Sequence, residues 1–366
     1  MLPDISIIIV NYHTADFVHR CVGSILNSSN DSVEIIVVDN SSTPSEAERL
    51  VALTDAGVKL VFNQDNPGFA CACNQGVSLA NGHYVMFLNP DTIVFEGCLL
   101  RLVDFFNTGK NVGAVGPKTW WDSAKTLQLV QHRLPSPCLR IRQSLSDLRY
   151  LNSVIDRANL AEDYAYQSAI TPLSVDMLPG SAILTSKSII KRVGLFDEGY
   201  PLYFEDSDWC KRLKRSGLDL YMVPDAQICH FYNQSARTDS GISFGKFVVS
   251  EERYMSIHHS PLSRLAANSV SNVTSRLKRL KQPFDHRDLG ITAQRPHFSS
   301  DKVYRGRLLF QLSVNTAFVP AATAVADEPG FTLSDEVWSY LSPGVYFTRF
   351  VDLKSYNTLD TWRFER

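Results

Sequence analysis

The chain has 366 residues, of which 44% are apolar and 20% charged, and its formal net charge is -2. This composition is that of a globular protein with enough apolar residues for a sizeable core. The near-neutral balance argues against a nucleic-acid-binding protein, and no apolar run approaches the ~18 residues of a membrane-spanning helix. The N-terminus lacks the basic region of a signal peptide, and the seven cysteines lack zinc-finger spacing. We therefore expect a cytoplasmic protein with reduced thiols.

The first third of the chain alternates strand-like and helix-like segments, which predicts an α/β fold with a mostly parallel, Rossmann-like sheet flanked by helices. Continuous apolar runs predict buried strands, and apolar residues at helical spacing predict helices. The predicted strands are Ile5–Val10, Val33–Val38, Val58–Phe62, Tyr84–Leu88 and Val112–Val115, and the predicted helices are Ala15–Leu26, Ser45–Ala56, Phe69–Ala80 and Gly97–Asn107.

The pattern is looser over residues 120–175, which we interpret as an insertion with helical pieces around Leu139–Asn152. Further on, we predict strands at Met177–Thr185, with Pro179-Gly180 at a turn or bulge, and at Asp219–Val223. We predict helices at Ser186–Val193 and Asp208–Ser216. We assign a catalytic domain to residues 1–244, a basic amphipathic helical segment to 245–284, and a β-rich unit to 285–366. Strand-like runs at Val303–Phe318 and Val345–Leu353, divided by Gly- and Pro-bearing turns, support the last assignment.

An acidic run bracketed by aromatic residues is the most informative motif. Residues 203–209 read Tyr-Phe-Glu-Asp-Ser-Asp-Trp, so Glu205, Asp206 and Asp208 lie among side chains that proteins prefer to bury. Packing carboxylates together against apolar walls raises the basicity of one of them. Such a residue can take a proton from a hydroxyl or help to hold a cation. The alternative is an ordinary helix start, which also favours acidic residues.

Polar residues follow the predicted strands directly, where open α/β sheets bind ligands. Asp39 follows the second strand and can accept a hydrogen bond from the imide of a pyrimidine base. Asn11 holds the same position after the first strand. The alternative for Asp39 is an Asx turn that closes the loop.

Asn89 and Asp91 follow the strand at Tyr84–Leu88, with Pro90 stiffening the turn between them. A carboxylate there can hold Mg²⁺ or Mn²⁺ against a nucleotide diphosphate. His230 lies just after a predicted strand and could complete the metal's ligands, although a lone histidine is more often structural. Asn89 and Asp91 can likewise be ordinary turn residues.

Residues 66–74 form a glycine turn that leads into a helix rich in small residues, a combination that allows a ligand to approach closely. The residues we assign to nucleotide-sugar binding there are Asn66, Gly68, Phe69 and Asn74. The segment has neither the Rossmann glycine pattern nor the P-loop lysine, so dinucleotide or ATP binding by those motifs is not supported.

The order of these motifs, together with Leu-Pro-Gly-Ser-Ala at 178–182 and Cys-His at 229–230, resembles the inverting GT-A glycosyltransferases of family 2. The resemblance covers residues 3–240 and is nearest to bacterial rhamnosyltransferase-like enzymes of polysaccharide assembly. It implies that Asp39 contacts the nucleotide base and that Asp91 holds a divalent cation, with His230 a ligand of the metal or of the diphosphate. It also implies that Asp206, or a close neighbour in the acidic run such as Glu205, is the catalytic base. Asn89 stands where the family has the first Asp of Asp-x-Asp, so metal dependence is less certain than in relatives that have both carboxylates.

The resemblance implies a nucleotide-diphosphate sugar donor, with thymidine-diphosphate rhamnose favoured, and a saccharide or lipid-linked saccharide acceptor. The basic residues around Arg276–Lys281 favour peripheral attachment to the inner membrane face, the alternative being a solvated surface helix. Two other functions remain open. A nucleotidyltransferase would need a basic phosphate-binding loop near residues 11–16, which is absent, and a non-catalytic carbohydrate-binding protein would ignore nucleotides.

Overall fold

The computed structural model describes residues 4–28, 32–109, 111–146, 148, 152–232, 234, 240–277 and 285–366. It divides into two compact units. The first comprises Met1–Thr119, His132–Leu134 and Ile170–Tyr254, and the second comprises Trp120–Gln131, Pro135–Ala169 and Met255–Arg366.

The strands in chain order are β1 (Ile5–Asn11), β2 (Val33–Asp39), β3 (Lys59–Phe62), β4 (Tyr84–Leu88), β5 (Thr92–Val94), β6 (Val112–Trp120), β7 (Gln128–Val130), β8 (Leu173–Val175), β9 (Ala182–Ser186), β10 (Asp219–His230), β11 (Arg287–Ile291), β12 (His297–Ser299), β13 (Leu308–Ser313), β14 (Ala321–Ala326), β15 (Gly330–Thr332), β16 (Val345–Asp352) and β17 (Asn357–Glu365). The helices are α1 (Ala15–Ser28), α2 (Pro44–Val51), α3 (Phe69–Leu79), α4 (Cys98–Phe106), α5 (Pro137–Ser146), α6 (Asn152–Ser168), α7 (Lys187–Val193), α8 (Glu205–Arg215), α9 (Ser240–His258), α10 (Pro261–Arg276) and α11 (Asp335–Tyr340).

The sheet of the first unit has the order β6-β9-β4-β1-β2-β3. Strands β3, β2, β1 and β4 run parallel, whereas β9 pairs antiparallel with β4 and β6. The α/β class predicted from the alternating pattern is confirmed. Because β1 and β4 are buried along their whole lengths, their sequences read as continuous apolar runs.

In the second unit an antiparallel sheet has the order β17-β16-β13-β14-β7, with β11 parallel to β17 at its edge. One face carries a core of aromatic rings, among them Phe298, Phe310 and Trp362. Residues 120–131 therefore supply a strand to the same unit as residues 285–366. The predicted division into domains after residues 244 and 284 is a statement about which segments fold independently, and it stays a prediction.

Several predicted elements were wrong in extent. The strand predicted at Met177–Thr185 begins only at Ala182, because Pro179 cannot donate to a ladder; the turn expected at Pro179-Gly180 is present at residues 180–181 and precedes the strand. The predicted strand at Asp219–Val223 continues through Pro224 to His230. Helix α8 begins at Glu205, three residues before the predicted start.

Three helical assignments also change. Helix α6 was missed because it buries polar residues such as Asp156, Asn159 and Asp163, which hides its apolar period. Helix α11 interrupts the tail that was predicted to be purely β. The predicted segment 245–284 contains two helices, since Ser260 caps α10 and Pro261 begins it, and residues 278–284 lie outside the described part of the chain.

Candidate active site

The carboxyl ends of β1 and β2 meet at one edge of the sheet, where Asn11 and Asp39 are register partners. The amide Nδ2 of Asn11 donates to Oδ1 of Asp39 at 2.8 Å and lies 3.0 Å from Oε2 of Glu46. Asn11 is fully buried, and its Oδ1 accepts from Thr14. The amide of Asn11 and the N–H of Ser41 both donate to Oδ1 of Asp39. Asn11 therefore holds the Asp39 carboxylate in place through Oδ1, and Oδ2 can accept a hydrogen bond from a ligand.

The glycine turn before α3 is tied to the end of β2. Asn40 donates to Oδ1 of Asn66 and to the carbonyl of Gly68, both at 3.2 Å. Gly68 has a φ of 97°, a left-handed conformation that favours glycine, and it immediately precedes α3. Phe69 follows it at the first position of the helix. Asn66, Gly68 and Phe69 thus lie beside the loop that carries Asp39.

Asn74 has a different position from the one expected of a ligand-facing residue. Its Nδ2 donates to the carbonyl of Phe196 at 3.0 Å and to Oε1 of Glu198 at 2.8 Å, and its Oδ1 accepts the N–H of Phe196. These bonds hold α3 against the loop that follows α7. The side chain is already satisfied, so its role in this structure is to position that loop.

Asn89, Asp91 and His230 come together at the end of β4, because β10 pairs antiparallel with β5 and brings His230 opposite Thr92. Nε2 of His230 lies 3.2 Å from Oδ1 of Asp91 and 3.4 Å from Nδ2 of Asn89. Burial acts to raise the pKa of Asp91, but the charge and hydrogen bond of His230 outweigh it and lower that pKa. The predicted proximity of Asp91 and His230 is therefore present.

A turn at residues 179–181, which connects to the acidic run, was not identified as part of the site from the residue chemistry. The N–H of Gly180 donates to Oδ2 of Asp206 at 2.8 Å, and the carbonyl of the next residue, Ser181, accepts the N–H of Asn89 at 3.0 Å. A Cβ on residue 180 would lie 3.2 Å from that Asp206 oxygen, so glycine permits the approach. The signal in the sequence was Leu-Pro-Gly-Ser-Ala, which served only for the resemblance.

The three carboxylates of the acidic run have distinct environments. Asp208 pairs with Arg212 at 2.7 Å and accepts from Tyr200, so it is a structural residue of α8. Asp206 is half-buried and accepts the N–H groups of Gly180 and Ser207. Glu205 is buried, and its Oε2 has no hydrogen-bond partner among the described residues.

Burial is the main cause of the raised pKa values of Glu205 and Asp206. Burial, followed by the neighbouring charge of Asp206, raises the pKa of Glu205. Burial also raises the pKa of Asp206, while the hydrogen bonds from Gly180 and Ser207 offset part of that rise. Two adjacent carboxylates that resist ionising together are the arrangement expected of a proton-accepting site.

The backbone just before the pair is strained. Tyr203 and Phe204 have φ values of 64° and 70°, in the left-handed region that side chains with a Cβ avoid. Such strain costs about 1–3 kcal/mol per residue and is concentrated at functional sites. Burial raises the pKa of the Tyr203 hydroxyl to about 12, and the charges of Tyr232, Glu205 and Asp91 add to that rise. Tyr203 precedes Glu205 by two residues, so the strained turn leads directly into the acidic run.

With this geometry in place, the comparisons with known proteins identify the class. Residues 6–158 match the model of the family described as Glycosyl transferase family 2. This match confirms, over residues 6–158, the resemblance to the family 2 glycosyltransferases that the motifs indicated.

Two relatives and one solved structure add detail. The chain is 26% identical to rhamnosyltransferase WbbL of Escherichia coli (strain K12) over 256 residues, which are 68% of this chain and 91% of the relative. It is 29% identical to the succinoglycan biosynthesis protein ExoO of Rhizobium meliloti (strain 1021), over 28% of this chain and 30% of that one. A crystal structure of GalNAc-T7 with UDP, GalNAc and Mn²⁺ is 16% identical, with a TM-score of 0.48 over 63% of this chain and 44% of that one.

The class assigned to this chain is accordingly a glycosyltransferase of glycan biosynthesis. Among the described residues, no helix combines the length and apolar character needed to cross a membrane. The same residues contain no group of three or more His, Cys, Asp or Glu side chains arranged to hold a metal ion.

Proposed function

We propose that the protein transfers a sugar, with inversion, from a nucleotide-diphosphate donor to a saccharide acceptor. The observation that carries the proposal is the turn at residues 179–181. Its Gly180 donates to Asp206, and its next residue, Ser181, accepts from Asn89. A base and the donor's diphosphate end would then flank one reacting carbon, as a single displacement requires.

Asp206 is the proposed base. It lies at the start of α8, where Oδ2 is held by Gly180 and Oδ1 by Ser207, so the carboxylate has a fixed orientation. Glu205 is the more deeply buried neighbour, and kept neutral it avoids repelling the charge on Asp206. A positioned general base contributes ~10²–10⁴-fold to the rate, and attack from the face opposite the leaving group inverts the anomeric carbon.

The donor's base is assigned to Asp39, whose Oδ2 can accept the imide N–H of a pyrimidine. Asn11 would position Asp39, and residues Asn66, Gly68 and Phe69 would border the same nucleotide. Because a relative is named a rhamnosyltransferase, rhamnose is the proposed sugar, carried by a thymidine or uridine diphosphate.

A divalent cation fits the residues at Asp91. One carboxylate, the amide oxygen of Asn89 and the imidazole of His230 are an incomplete donor set of the kind that diphosphate oxygens complete. Nε2 is the ring nitrogen of His230 that faces Asp91 and Asn89, so it is the atom that would bind the cation. When bound, Mg²⁺ or Mn²⁺ would neutralise charge on the leaving diphosphate. Asp91, Asn89 and His230 would hold it.

A lipid-linked acceptor and peripheral membrane contact belong to the same proposal. Helix α10 exposes Leu262, Leu265 and Val273 on one side and carries Arg264 and Arg276, with no acidic residue. Exposed apolar and basic side chains together favour an anionic membrane surface. The remaining basic residues of the predicted segment, Lys278 to Lys281, lie outside the described part of the chain. Flotation with anionic liposomes, and its absence with neutral ones, is the expected result.

The donor assignment is tested by mass spectrometry of nucleotide-sugar hydrolysis without an acceptor. We expect one pyrimidine-diphosphate sugar to be hydrolysed by the wild type and not by Asp206→Asn. Release of pyrophosphate from a nucleoside triphosphate and sugar phosphate would instead establish a nucleotidyltransferase. A protein that binds glycans but no nucleotide would contradict the transferase assignment.

A further inference from the structure

Next to the catalytic pair, the first unit presents an aromatic surface that none of the assigned roles uses. The ring of Tyr203 packs edge-on against Phe247 of α9, with 6.1 Å between the ring centroids. Each of these two residues is 38% exposed. Below them, Phe204 is buried and contacts both Phe247 and Tyr254 of α9, at 5.2 and 5.6 Å.

The position of Tyr203 is fixed by the backbone as well as by packing. Tyr203 and Phe204 both have left-handed φ angles, a conformation that a side chain with a Cβ avoids unless its surroundings impose it. The turn sends Phe204 into the interior and leaves Tyr203 at the surface. It also sets Tyr203 two residues before Glu205 and three before Asp206.

The same exposed surface continues along α9. Phe244, one turn before Phe247, is 70% exposed, and Val248 is 45% exposed. Residues three and four apart lie on one side of a helix, so Phe244, Phe247 and Val248 share a face. Exposed apolar residues next to one another and next to a reactive site are a typical ligand-binding surface.

Chemistry decides which ligand this surface binds. A base at Asp206 must lie within hydrogen-bond distance of the acceptor hydroxyl, so the acceptor occupies the space around the acidic run. Tyr203 lies two residues before Glu205 and is 38% exposed, which places its ring at the border of the same space. A sugar ring has an apolar face of C–H groups that packs on an aromatic ring.

We propose that Tyr203, supported by Phe247, is the acceptor-binding surface, on which the sugar ring of the acceptor stacks while its hydroxyl points to Asp206. This inference rests on the proposed transferase function. Tyr203 is a positioning residue here, because it orients the acceptor and takes no proton from it. The exposed side of α9 at Phe244 and Val248 then accommodates the part of the acceptor beyond that first ring.

Saturation-transfer NMR with octyl β-D-glucopyranoside and methyl β-D-glucopyranoside, each in the presence of UDP, tests the proposal on the full chain. We expect transfer to the sugar C–H protons of both glycosides in the wild type. This transfer should fall at least fivefold in Tyr203→Ala and in Phe247→Ala, and it should persist in Tyr203→Phe, which keeps the ring. Ile257→Ala, at a position of similar exposure ten residues further along α9, is the matched control and should change nothing.

Three outcomes would overturn the proposal. These are unchanged transfer in both alanine variants, transfer confined to the octyl chain, and no transfer to either sugar in the wild type. UDP binding by the same samples separates this inference from the proposed function. Loss of sugar transfer with UDP binding retained supports the acceptor surface, whereas a wild type that binds no pyrimidine diphosphate refutes the transferase itself. Circular dichroism of each variant verifies folding, and Phe247→Ala replaces Tyr203→Ala if the strained turn does not tolerate the change.

Discussion

The two units differ in what surrounds their buried charged side chains. In the second unit, Arg349 is almost fully buried on β16, and its charge is matched by Asp156 of α6 at 2.7 Å, by Gln311 at 2.7 Å and by the ring of Phe318. In the first unit, Glu205 and Asp206 are adjacent carboxylates, and Asp206 accepts the backbone N–H groups of Gly180 and Ser207.

This contrast separates structural charge from reactive charge. A buried ion pair with complete hydrogen bonds has no reason to exchange protons, and it stabilises or specifies the packing around it. Two neighbouring carboxylates without a cation keep raised pKa values, which makes one of them a base close to neutral pH. Burial alone would not have distinguished the two, since both sets are buried and polar.

The largest expected effect is on catalysis by Asp206→Asn. The amide keeps the shape and can still accept from Gly180, but it cannot take a proton, so turnover should fall at least ~10²-fold. Nucleotide binding, measured by calorimetry, should be unchanged. Asp208→Asn is the control within the same helix turn, and a greater loss there or in Glu205→Gln would show that the base is misassigned.

Arg349→Met should have the largest effect on stability. It leaves Asp156 buried without its cation, and breaking a buried pair in this way costs about 3–5 kcal/mol. Denaturant unfolding measures the loss, and the double variant Arg349→Met with Asp156→Leu should recover much of it because no unpaired charge remains. If the single variant is as stable as the wild type, the pair does not have the structural role assigned to it.

Asp91→Ala tests the other carboxylate of the first unit. We expect donor affinity to fall at least ~10-fold, a size usual for damage to a metal site, and a chelator should have a similar effect on the wild type. Asp55→Ala is the comparison, because that carboxylate is exposed and neighbours none of the residues assigned to the donor site. Full activity in excess chelator would show that no metal is required.

The smallest effect concerns the pH dependence of stability. The pKa of Glu205 is raised above its ordinary value of 4.5 in the folded state, so the folded protein retains a proton that the unfolded chain has lost. Stability should therefore decrease as pH rises from about 4.5 to the folded-state pKa of about 8, and Glu205→Gln should remove this contribution. The difference in melting temperature between variant and wild type should widen over that range; a constant difference would contradict the raised pKa.

The strands that frame the site were predictable because their chemistry is local. Ile5–Asn11 and Tyr84–Leu88 are buried on both faces, so their apolar runs are visible in the sequence, and the positions of Asp39 and Asp91 at strand ends follow from them. The resemblance supplied the pairing of Asp91 with His230, which no local pattern gives, since 139 residues separate them.

The parts that were missed depend on contacts between distant segments. The polar face of α6 looks like an exposed surface until Arg349 is known to lie beneath it. The strand β7 pairs with β14, whose first residue, Ala321, lies far along the chain, so the three residues of β7 carry no signal of this pairing. The turn at Gly180 belongs to the site because its N–H donates to Asp206, a contact between distant segments that forms only when the chain folds.

That turn has a practical consequence for redesigning the enzyme. The turn bonds to Asp206 and to Asn89 through its own backbone groups. The spacing between Asp206 and Asn89 therefore does not depend on the side chains that border the donor. Libraries that vary Asn66, Phe69 or the residues around Asp39 to change the sugar donor would leave this spacing intact. Position 180 is the one to keep fixed in such a library, because any side chain there would press on the carboxylate that the chemistry requires.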